Sequence, residues 1–453
     1  MKTKEQDGQV LVLVALSMVA LMAIVGLAID GGIAYGVKAK LSSAEDAAAI
    51  AAADATGDSS GGYAAAIAAG TARFYANFPA GYLKSTPSAP TITVQPDTPK
   101  AGEIQVTVTA SATAPTYFMQ VLGLNQVSAT STAQTVKSTL DMVLVIDNTG
   151  SLAPVGSSVI SAAQSFIDKF NPTTDRIGLV NFAEGSNVAV PIYTVARGFD
   201  KSAIDSAISS MNFTGSTNYS AAFYQARAQL DSIPVSSQSS RRVIVFFSDG
   251  SPNSFSSTFT WGSAQQTGVI CSQDPPIYAF PPPYPFGLYR TDVLNSMLQG
   301  YNAYQIYPYV TTLPQYFNLG AGIGDGTYHV APNPPPGTGM AGRPVIASYL
   351  GDSNKGFEDV NNAARNLPEE MANNARAAGI YVFTLGYGPD LTVAKNWGNL
   401  ETGNAVLMNM ANDTSAPNHG SDQLTGAYVY AADATEMQGA FEEIASQMLR
   451  LTR

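Results

Sequence analysis

The chain has 453 residues, of which only 13% are charged, and its formal net charge is −11. This length exceeds one typical domain and predicts two or three folded units, while the acidic balance disfavours nucleic acid as a partner. The single cysteine, Cys271, excludes an intrachain disulfide framework and a thiolate metal cluster.

An uncharged apolar stretch, Val10 to Ile29, dominates the N-terminal region. Its 20 residues are enough to cross the hydrocarbon core of a bilayer as a helix. The stretch is longer than the apolar part of an ordinary signal peptide, and no clear small-x-small cleavage site follows it. These features favour a retained anchor over a cleaved signal peptide or a buried core helix, so residues 1–60 are predicted to be a transmembrane anchor with a helical extension. Lysines lie on both sides of the span, so the positive-inside rule leaves its orientation open.

The helical extension covers Ile33 to Ala55, which is dense in alanine and other good helix formers. Together with Gly8, the apolar block and the pair Asp30 and Gly31, it resembles the N-terminal segment of the tight-adherence (Tad or Flp) pilus-assembly proteins of the TadG type. The resemblance implies a single-pass protein of the bacterial inner membrane, with its C-terminal domains on the periplasmic or extracellular side. A pilin-type leader would carry Glu where this chain has Leu13, which argues against cleavage by a prepilin peptidase.

Residues 61–139 are predicted to form a small α+β stalk. Tyr63 to Asn77 has helical character, and Pro115 to Gly123 is expected to form a short helix. Three segments alternate apolar residues with Thr or Ser, the pattern of half-buried antiparallel strands: Thr91 to Val94, Glu103 to Ala112 and Gln126 to Val136. The arrangement is similar to the segment that follows the anchor in TadE- and TadG-like proteins. Its simplest role is to space the next domain from the membrane.

From Leu140 onward, strand and helix patterns alternate, which predicts an α/β domain with a doubly wound, mostly parallel sheet over residues 140–453. The predicted strands are Met142 to Ile146, Arg176 to Phe182, Arg242 to Phe247, Ile380 to Leu385 and Tyr428 to Ala431. The predicted helices are Val155 to Phe170, Lys201 to Met211, Tyr219 to Leu230, Glu358 to Ala378 and Thr435 to Leu449.

Polar side chains follow the buried strands of this domain. Asp147, Thr149 and Ser151 alternate on the loop after the first strand, Thr217 precedes a helix, and Asp249 ends another buried strand. Open α/β sheets bind ligands at the carboxyl ends of their strands. Carboxylates and hydroxyls are hard oxygen donors that suit magnesium or manganese. The pattern therefore predicts a divalent-metal site, although each piece alone is also common in ordinary turns.

In this order, the five residues resemble the metal-ion-dependent adhesion site of von Willebrand factor A domains. The family motif reads Asp-x-Ser-x-Ser, then a distant Thr and a later Asp; Thr149 replaces the first Ser and keeps the hydroxyl. The resemblance implies a von Willebrand factor A-like fold and a bound Mg²⁺, with Mn²⁺ or Ca²⁺ as alternatives. It assigns Thr149, Ser151 and Thr217 as inner ligands, with Asp147 and Asp249 supplying the charge. An acidic side chain from a protein partner would complete the coordination.

An insert at about residues 252–356 interrupts the alternation and is far longer than an ordinary βα connection. It is rich in Tyr and Pro, which suit a binding surface; the alternative is a cap that shields the rim or packs on the stalk. Because the flanking strand and helix are complete by pattern, we expect that removing Ser254 to Lys355 leaves the fold and the metal site intact. Cys271, inside the insert, is predicted to be a small buried residue rather than a reactive thiol.

Enzyme classes find little support in this sequence. Its two histidines, His329 and His419, lie in loops rich in Gly, Pro and Asn, without a nucleophile–His–acid order. No phosphate-binding or dinucleotide-binding glycine motif is present. We therefore predict a non-enzymatic, membrane-anchored, pilus-associated adhesion protein that binds a protein partner through its metal site. The alternative is an envelope scaffold or assembly factor that binds other components of pilus biogenesis or secretion.

Overall fold

The computed structural model of the protein divides into two compact units, residues 1–138 and residues 139–453. It describes residues 6–57, 63–96, 103–261, 264–271, 288–289, 312–319, 327–330, 343–345, 353–394 and 401–450.

The first unit combines one long helix with a shorter helix and an antiparallel sheet. The strand Glu103–Pro115 pairs antiparallel with each of the other three strands of this sheet. The elements are α1 (Gln6–Asp54), α2 (Ala64–Asn77), β1 (Thr86–Pro87), β2 (Thr91–Pro96), β3 (Glu103–Pro115) and β4 (Gln126–Ser138). The predicted span and its extension thus form one continuous helix of 49 residues.

The two halves of α1 differ in their surroundings. Its N-terminal half is apolar and exposed, and among the described residues it is the one helix long and apolar enough to cross a membrane. Its C-terminal half buries a face that includes Leu41, Ala44 and Ala48 against the sheet. Small side chains on this face allow close approach. At Gly70 of α2, an added Cβ would lie 3.0 Å from the Ala48 carbonyl oxygen.

The second unit contains a six-stranded sheet in the order β13-β12-β8-β5-β6-β7. All neighbouring strands are parallel except β6 and β7, which are antiparallel. The elements are β5 (Leu140–Asp147), α3 (Gly156–Ile167), β6 (Arg176–Phe182), β7 (Ser186–Val190), α4 (Lys201–Ser209), α5 (Tyr219–Asp231), β8 (Arg241–Ser248), β9 (Ser254–Trp261), β10 (Ala264–Cys271), β11 (Leu288–Tyr289), α6 (Ser353–Ala377), β12 (Ile380–Tyr387), α7 (Gly403–Ala411), β13 (Tyr428–Ala431) and α8 (Met437–Arg450).

Helices cover both faces of this sheet, which confirms the predicted α/β class. Along β5, Val143 and Val145 face a core that includes α5 and α6. Met142 and Leu144 face the opposite core, which includes α3 and α8. Every residue of β5 is buried, as a continuous apolar run in a central parallel strand predicts. The antiparallel edge strand β7 and the short helix α7 were not predicted.

The described part of the insert belongs to the core of the second unit. Strands β9 and β10 form an antiparallel hairpin, and β9 contributes Phe255 and Phe259 to the cluster that holds Phe223 of α5. Phe317 is fully buried in the same cluster and packs against Tyr224 of α5, with ring centroids 5.5 Å apart. This packing contradicts the expectation that residues 254–355 can be removed without loss of the fold.

Two further contacts concern the insert. Arg343 is buried and forms a 2.7 Å ion pair with Glu369 of α6. Cys271 is buried, as predicted; its Sγ lies 3.2 Å from the Ser216 hydroxyl, and burial raises the pKa of the thiol to about 12. The tyrosines at positions 301, 304, 307 and 309 lie outside the described residues.

Candidate metal centre

The candidate site lies where the strand order of the second unit reverses. From β5 the chain continues to β6 on one side of it, whereas β8 lies on the other side. The ends of β5 and β8 are therefore adjacent, at Asp147 and Ser248. Such a reversal opens a crevice at the carboxyl ends of the strands, the usual ligand position in open α/β sheets.

Four of the five predicted residues form one hydrogen-bonded cluster at this position. The buried Asp147 accepts a 2.8 Å hydrogen bond from the Thr149 backbone N–H. The Thr149 and Ser151 hydroxyl oxygens are 3.2 Å apart, and Ser151 donates a 2.9 Å hydrogen bond to Asp249 Oδ1. Ser248, which the prediction did not include, donates its hydroxyl to Asp147 Oδ2.

The fifth residue, Thr217, lies against the loop that follows Asp249. Its carbonyl oxygen accepts hydrogen bonds from the backbone N–H groups of Asn253 (3.1 Å) and Ser254 (3.2 Å). A Cβ added at Gly250 would lie 3.5 Å from Thr217 Oγ1. The structure thus brings the Thr217 hydroxyl beside the residue that directly follows Asp249.

Glycine makes the close meeting of these loops possible. The Gly150 N–H donates a 3.2 Å hydrogen bond to the Gly215 carbonyl, which joins the loop of Ser151 to the loop of Thr217. Gly215 has a φ of 99°, and a Cβ there would lie 2.6 Å from the Glu184 carboxyl carbon. A side chain at position 215 would therefore be strained and would displace Glu184.

The surroundings of the two carboxylates disfavour their charge. Burial is the main cause that raises the pKa of Asp147, and it outweighs the hydrogen bonds from Ser248 and Thr149. Burial likewise raises the pKa of Asp249, and repulsion from Asp147 raises it further. At the opposite end of β5, the buried Asp141 instead forms ion pairs with Arg176 (3.4 Å) and Arg197 (3.0 Å).

Two supporting residues were also missed by the sequence-based prediction. Tyr219 is fully buried between Phe182 and Phe246, and its hydroxyl donates to the Gly250 carbonyl oxygen. Asn253 accepts a 2.9 Å hydrogen bond from the Thr217 N–H through its side-chain oxygen. Ser248 had a local signal, because it directly precedes Asp249, but nothing in the local sequence points to Tyr219 or Asn253.

The donor set fits a hard divalent cation. Two buried carboxylates with raised pKa values would gain from a neighbouring positive charge, and the three hydroxyls add neutral oxygen donors. Within the part of the chain that the structure describes, no group of three or more His, Cys, Asp or Glu side chains is placed to hold a metal. Because all five side chains offer oxygen donors, the composition of the site fits Mg²⁺, Mn²⁺ or Ca²⁺ better than a metal that prefers nitrogen or sulfur ligands.

Comparison with known families gives two matches in separate parts of the chain. Residues 142–251 match the von Willebrand factor type A domain, a range that includes all five predicted site residues. Residues 8–55 match the TadE/G-like Flp pilus-assembly family. Neither description names an enzyme. No curated protein sequence matches the chain.

Several solved structures resemble the chain at low identity. The vWF domain of the type V pili tip protein Mfa5 from Porphyromonas gingivalis is 15% identical, with a TM-score of 0.40 over 70% of this chain and 98% of that domain. The pilus adhesin SpaC from Lactobacillus rhamnosus GG is 13% identical, with a TM-score of 0.38 over 80% of this chain and 34% of that one. Proximal thread matrix protein 1 from the mussel byssus, with a zinc-occupied MIDAS motif, is 12% identical, with a TM-score of 0.33 over 69% of this chain and 46% of that one.

The family matches agree with the architecture of each unit. The first begins with a long apolar helix, and the second is built on a mostly parallel sheet with helices on both faces. The chain thus carries a TadE/G-like Flp pilus-assembly segment at its N-terminus and, following it, a von Willebrand factor type A domain.

Proposed function

We propose that this protein is a membrane-anchored, pilus-associated adhesion protein that binds a protein partner through a divalent cation. Asp147, Thr149, Ser151, Thr217 and Asp249 would hold the cation. The N-terminal part of α1 would cross the bacterial inner membrane once. The second unit would then lie on the periplasmic or extracellular side, where the partner is met.

The observation that carries the proposal is the Asp147 and Asp249 pair, linked through Ser151. Ser151 donates to Asp249 and its hydroxyl oxygen lies 3.2 Å from that of Thr149, whose N–H donates to Asp147. A pair of buried carboxylates with neutral neighbours costs stability when both are charged. A bound cation would remove that cost, because it would neutralise the two carboxylates.

The side chains of the site would have two roles, to supply negative charge and to supply neutral oxygen ligands. Asp147 and Asp249 would supply the negative charge that retains a divalent ion. Thr149, Ser151 and Thr217 would contribute neutral oxygens, which leave a bound cation electrophilic. When bound, the cation supplies a centre to which an acidic side chain of the partner can attach. Ser151 is exposed, so this side of the cluster is open to a partner.

The alternative function is an envelope scaffold or assembly factor that binds other pilus components and stays within the envelope. The TadE/G-like segment supports it, because that family is described by pilus assembly. Antibody labelling of intact cells separates the two functions. An adhesion protein should be labelled at the cell surface, whereas a scaffold should be labelled only after the envelope is opened.

Titration calorimetry on the full chain in detergent tests the metal site. We expect heat from a single class of site when Mg²⁺, Mn²⁺ or Ca²⁺ is added, and its loss in Asp249→Ala. Asp422→Ala is the matched control, because Asp422 is an exposed carboxylate in the same unit. An absence of divalent-dependent heat in the wild type, or equal heat in Asp249→Ala, would contradict the proposal.

A further inference from the structure

The loop between β3 and β4, residues 116–124, exposes apolar side chains without a charged neighbour in the sequence. The exposed fractions are 45% for Tyr117, 44% for Phe118, 89% for Val121 and 50% for Leu124. No charged residue occurs between Glu103 and Lys137. An exposed apolar patch of this kind marks a site of contact with a partner or a membrane.

The loop is held against α1 at the end of the apolar span. The buried Asp30 accepts hydrogen bonds from three consecutive backbone N–H groups, those of Tyr117 (2.8 Å), Phe118 (3.0 Å) and Met119 (2.8 Å). These bonds fix the start of the 3₁₀ turn Met119–Leu122. They also satisfy a carboxylate that would be costly at the edge of a membrane.

A second contact lies deeper along the span. A Cβ added at Gly26 would be 2.8 Å from Phe118 Cγ, so the Phe118 side chain packs directly on the α1 backbone there. Gly26 precedes Asp30 by four residues, which corresponds to about 6 Å along a helix. Phe118 therefore lies alongside the apolar part of α1 and not beyond its end.

Positive charge and aromatic rings lie beside the loop and further along α1. Lys84 Nζ lies 5.6 Å from the centroid of the Tyr117 ring. On α1, Tyr35 is 76% exposed, and Lys38 is exposed about 12 Å beyond Asp30 along the helix axis. Aromatic rings and lysines beside an apolar span are typical of the membrane–water interface, where lysines also attract anionic headgroups.

We propose that residues 116–124 are inserted into the bilayer interface beside α1, with Val121 and Leu124 in contact with lipid. The inference rests on the proposed membrane anchoring of α1, because lipid surrounds the level of Gly26 only if α1 spans the bilayer. The first unit would then contact the membrane at two places, through the span and through the loop. Asp30 would lock the loop to the helix and limit how far the unit tilts.

Depth-dependent fluorescence quenching tests the proposal on the full chain in vesicles of phosphatidylethanolamine and phosphatidylglycerol. In a Cys271→Ala background, an environment-sensitive fluorophore is attached through Val121→Cys, Leu16→Cys or Val235→Cys. All three native side chains are exposed, with 89%, 63% and 82% accessibility, so each label should leave the fold unchanged. Thermal unfolding of each labelled protein controls for this.

We expect lipids that carry a quencher near the headgroup to quench the label at position 121. Lipids that carry it deep in the chain should quench the label at position 16, and neither should quench position 235. Quenching at 16 without quenching at 121 would overturn the loop insertion and leave the anchor intact. Lack of quenching at 16 would overturn the anchor together with the inference.

A second copy of the chain is the competing occupant of the patch. In that case, the label at position 121 would be protected from aqueous iodide without quenching by lipid. This protection would disappear when the protein is diluted with excess lipid. That result would also overturn the inference, whereas protection that is independent of dilution supports contact with lipid.

Discussion

The Ser151 hydroxyl donates a 2.9 Å hydrogen bond to Asp249 Oδ1 and thereby joins two loops that are 98 residues apart in the chain. The bond partly offsets the effects that raise the pKa of Asp249, which are burial and repulsion from Asp147. The remaining electrostatic cost should make the stability of the second unit sensitive to divalent cations, to pH and to the charge at position 249.

Replacing Asp249 with Asn should change the response to metal. A ligand that binds only the folded state adds about 2.7 kcal/mol to the free energy of unfolding when its free concentration is 100 times its Kd. We expect a gain of this order with Mg²⁺ in the wild type and none in Asp249→Asn. Without metal, Asp249→Asn should unfold at a higher temperature than the wild type, because one buried charge is removed. Calorimetric scans with EDTA and with Mg²⁺ measure both effects, and Asp422→Asn should behave as the wild type.

The metal-free protein should lose stability as the pH rises. The folded pKa values of Asp147 and Asp249 are raised above the ordinary value of about 3.9. Below that pH, both carboxyl groups are protonated in the folded and in the unfolded protein. Above it, the two groups lose their protons in the unfolded chain first. The free energy of unfolding therefore falls until the two groups also titrate in the folded protein. Saturating Mg²⁺ should offset this fall. Urea unfolding between pH 4 and 8 in EDTA measures this contribution as the difference from Asp249→Asn, and parallel curves for the two proteins would contradict it.

The described insert residues should be essential for stability. Phe317→Ala removes a fully buried ring that packs on α5, so we expect a loss of about 3–5 kcal/mol in the free energy of unfolding. Val235→Ala, at an 82% exposed position of the same unit, should change it by less than about 0.5 kcal/mol. Chemical denaturation of each variant measures the difference. A Phe317→Ala protein as stable as the Val235→Ala protein would restore the interpretation of the insert as a detachable surface.

The apolar half of α1 should determine membrane association. Arginine near the centre of a span costs roughly 2.5–3.5 kcal/mol on insertion scales. The double change Leu16→Arg with Val19→Arg should therefore move the protein from the carbonate-resistant membrane fraction to the soluble fraction. Ile50→Arg is the matched control, since Ile50 is an exposed apolar residue of the same helix outside the predicted span. Retention of the double variant in membranes would argue against α1 as the anchor.

Much of the architecture could be predicted because its signals are local. A central strand of a parallel sheet is buried on both faces, so Leu140–Asp147 forms a nearly unbroken apolar run that stops where the strand stops. The apolar block of α1 is equally easy to recognise in the sequence, because its length matches the thickness of the hydrocarbon core of a bilayer. The five residues proposed for the metal site are polar groups placed directly after such patterns or before a helix, which is why their positions, together with the resemblance to the family motif, selected them.

The sequence by itself therefore determined the order of the elements, the fold class and the polar residues of the candidate site. Only the tertiary structure decided which of them meet. It linked Ser151 to Asp249, added Ser248 and Asn253 to the site, packed Phe317 of the insert into the core, and bonded Asp30 to the loop at Tyr117. Periodicity reports which face of an element is apolar, but the partner of that face lies far away in the chain. It is selected by the packing of the whole domain, which no local pattern encodes.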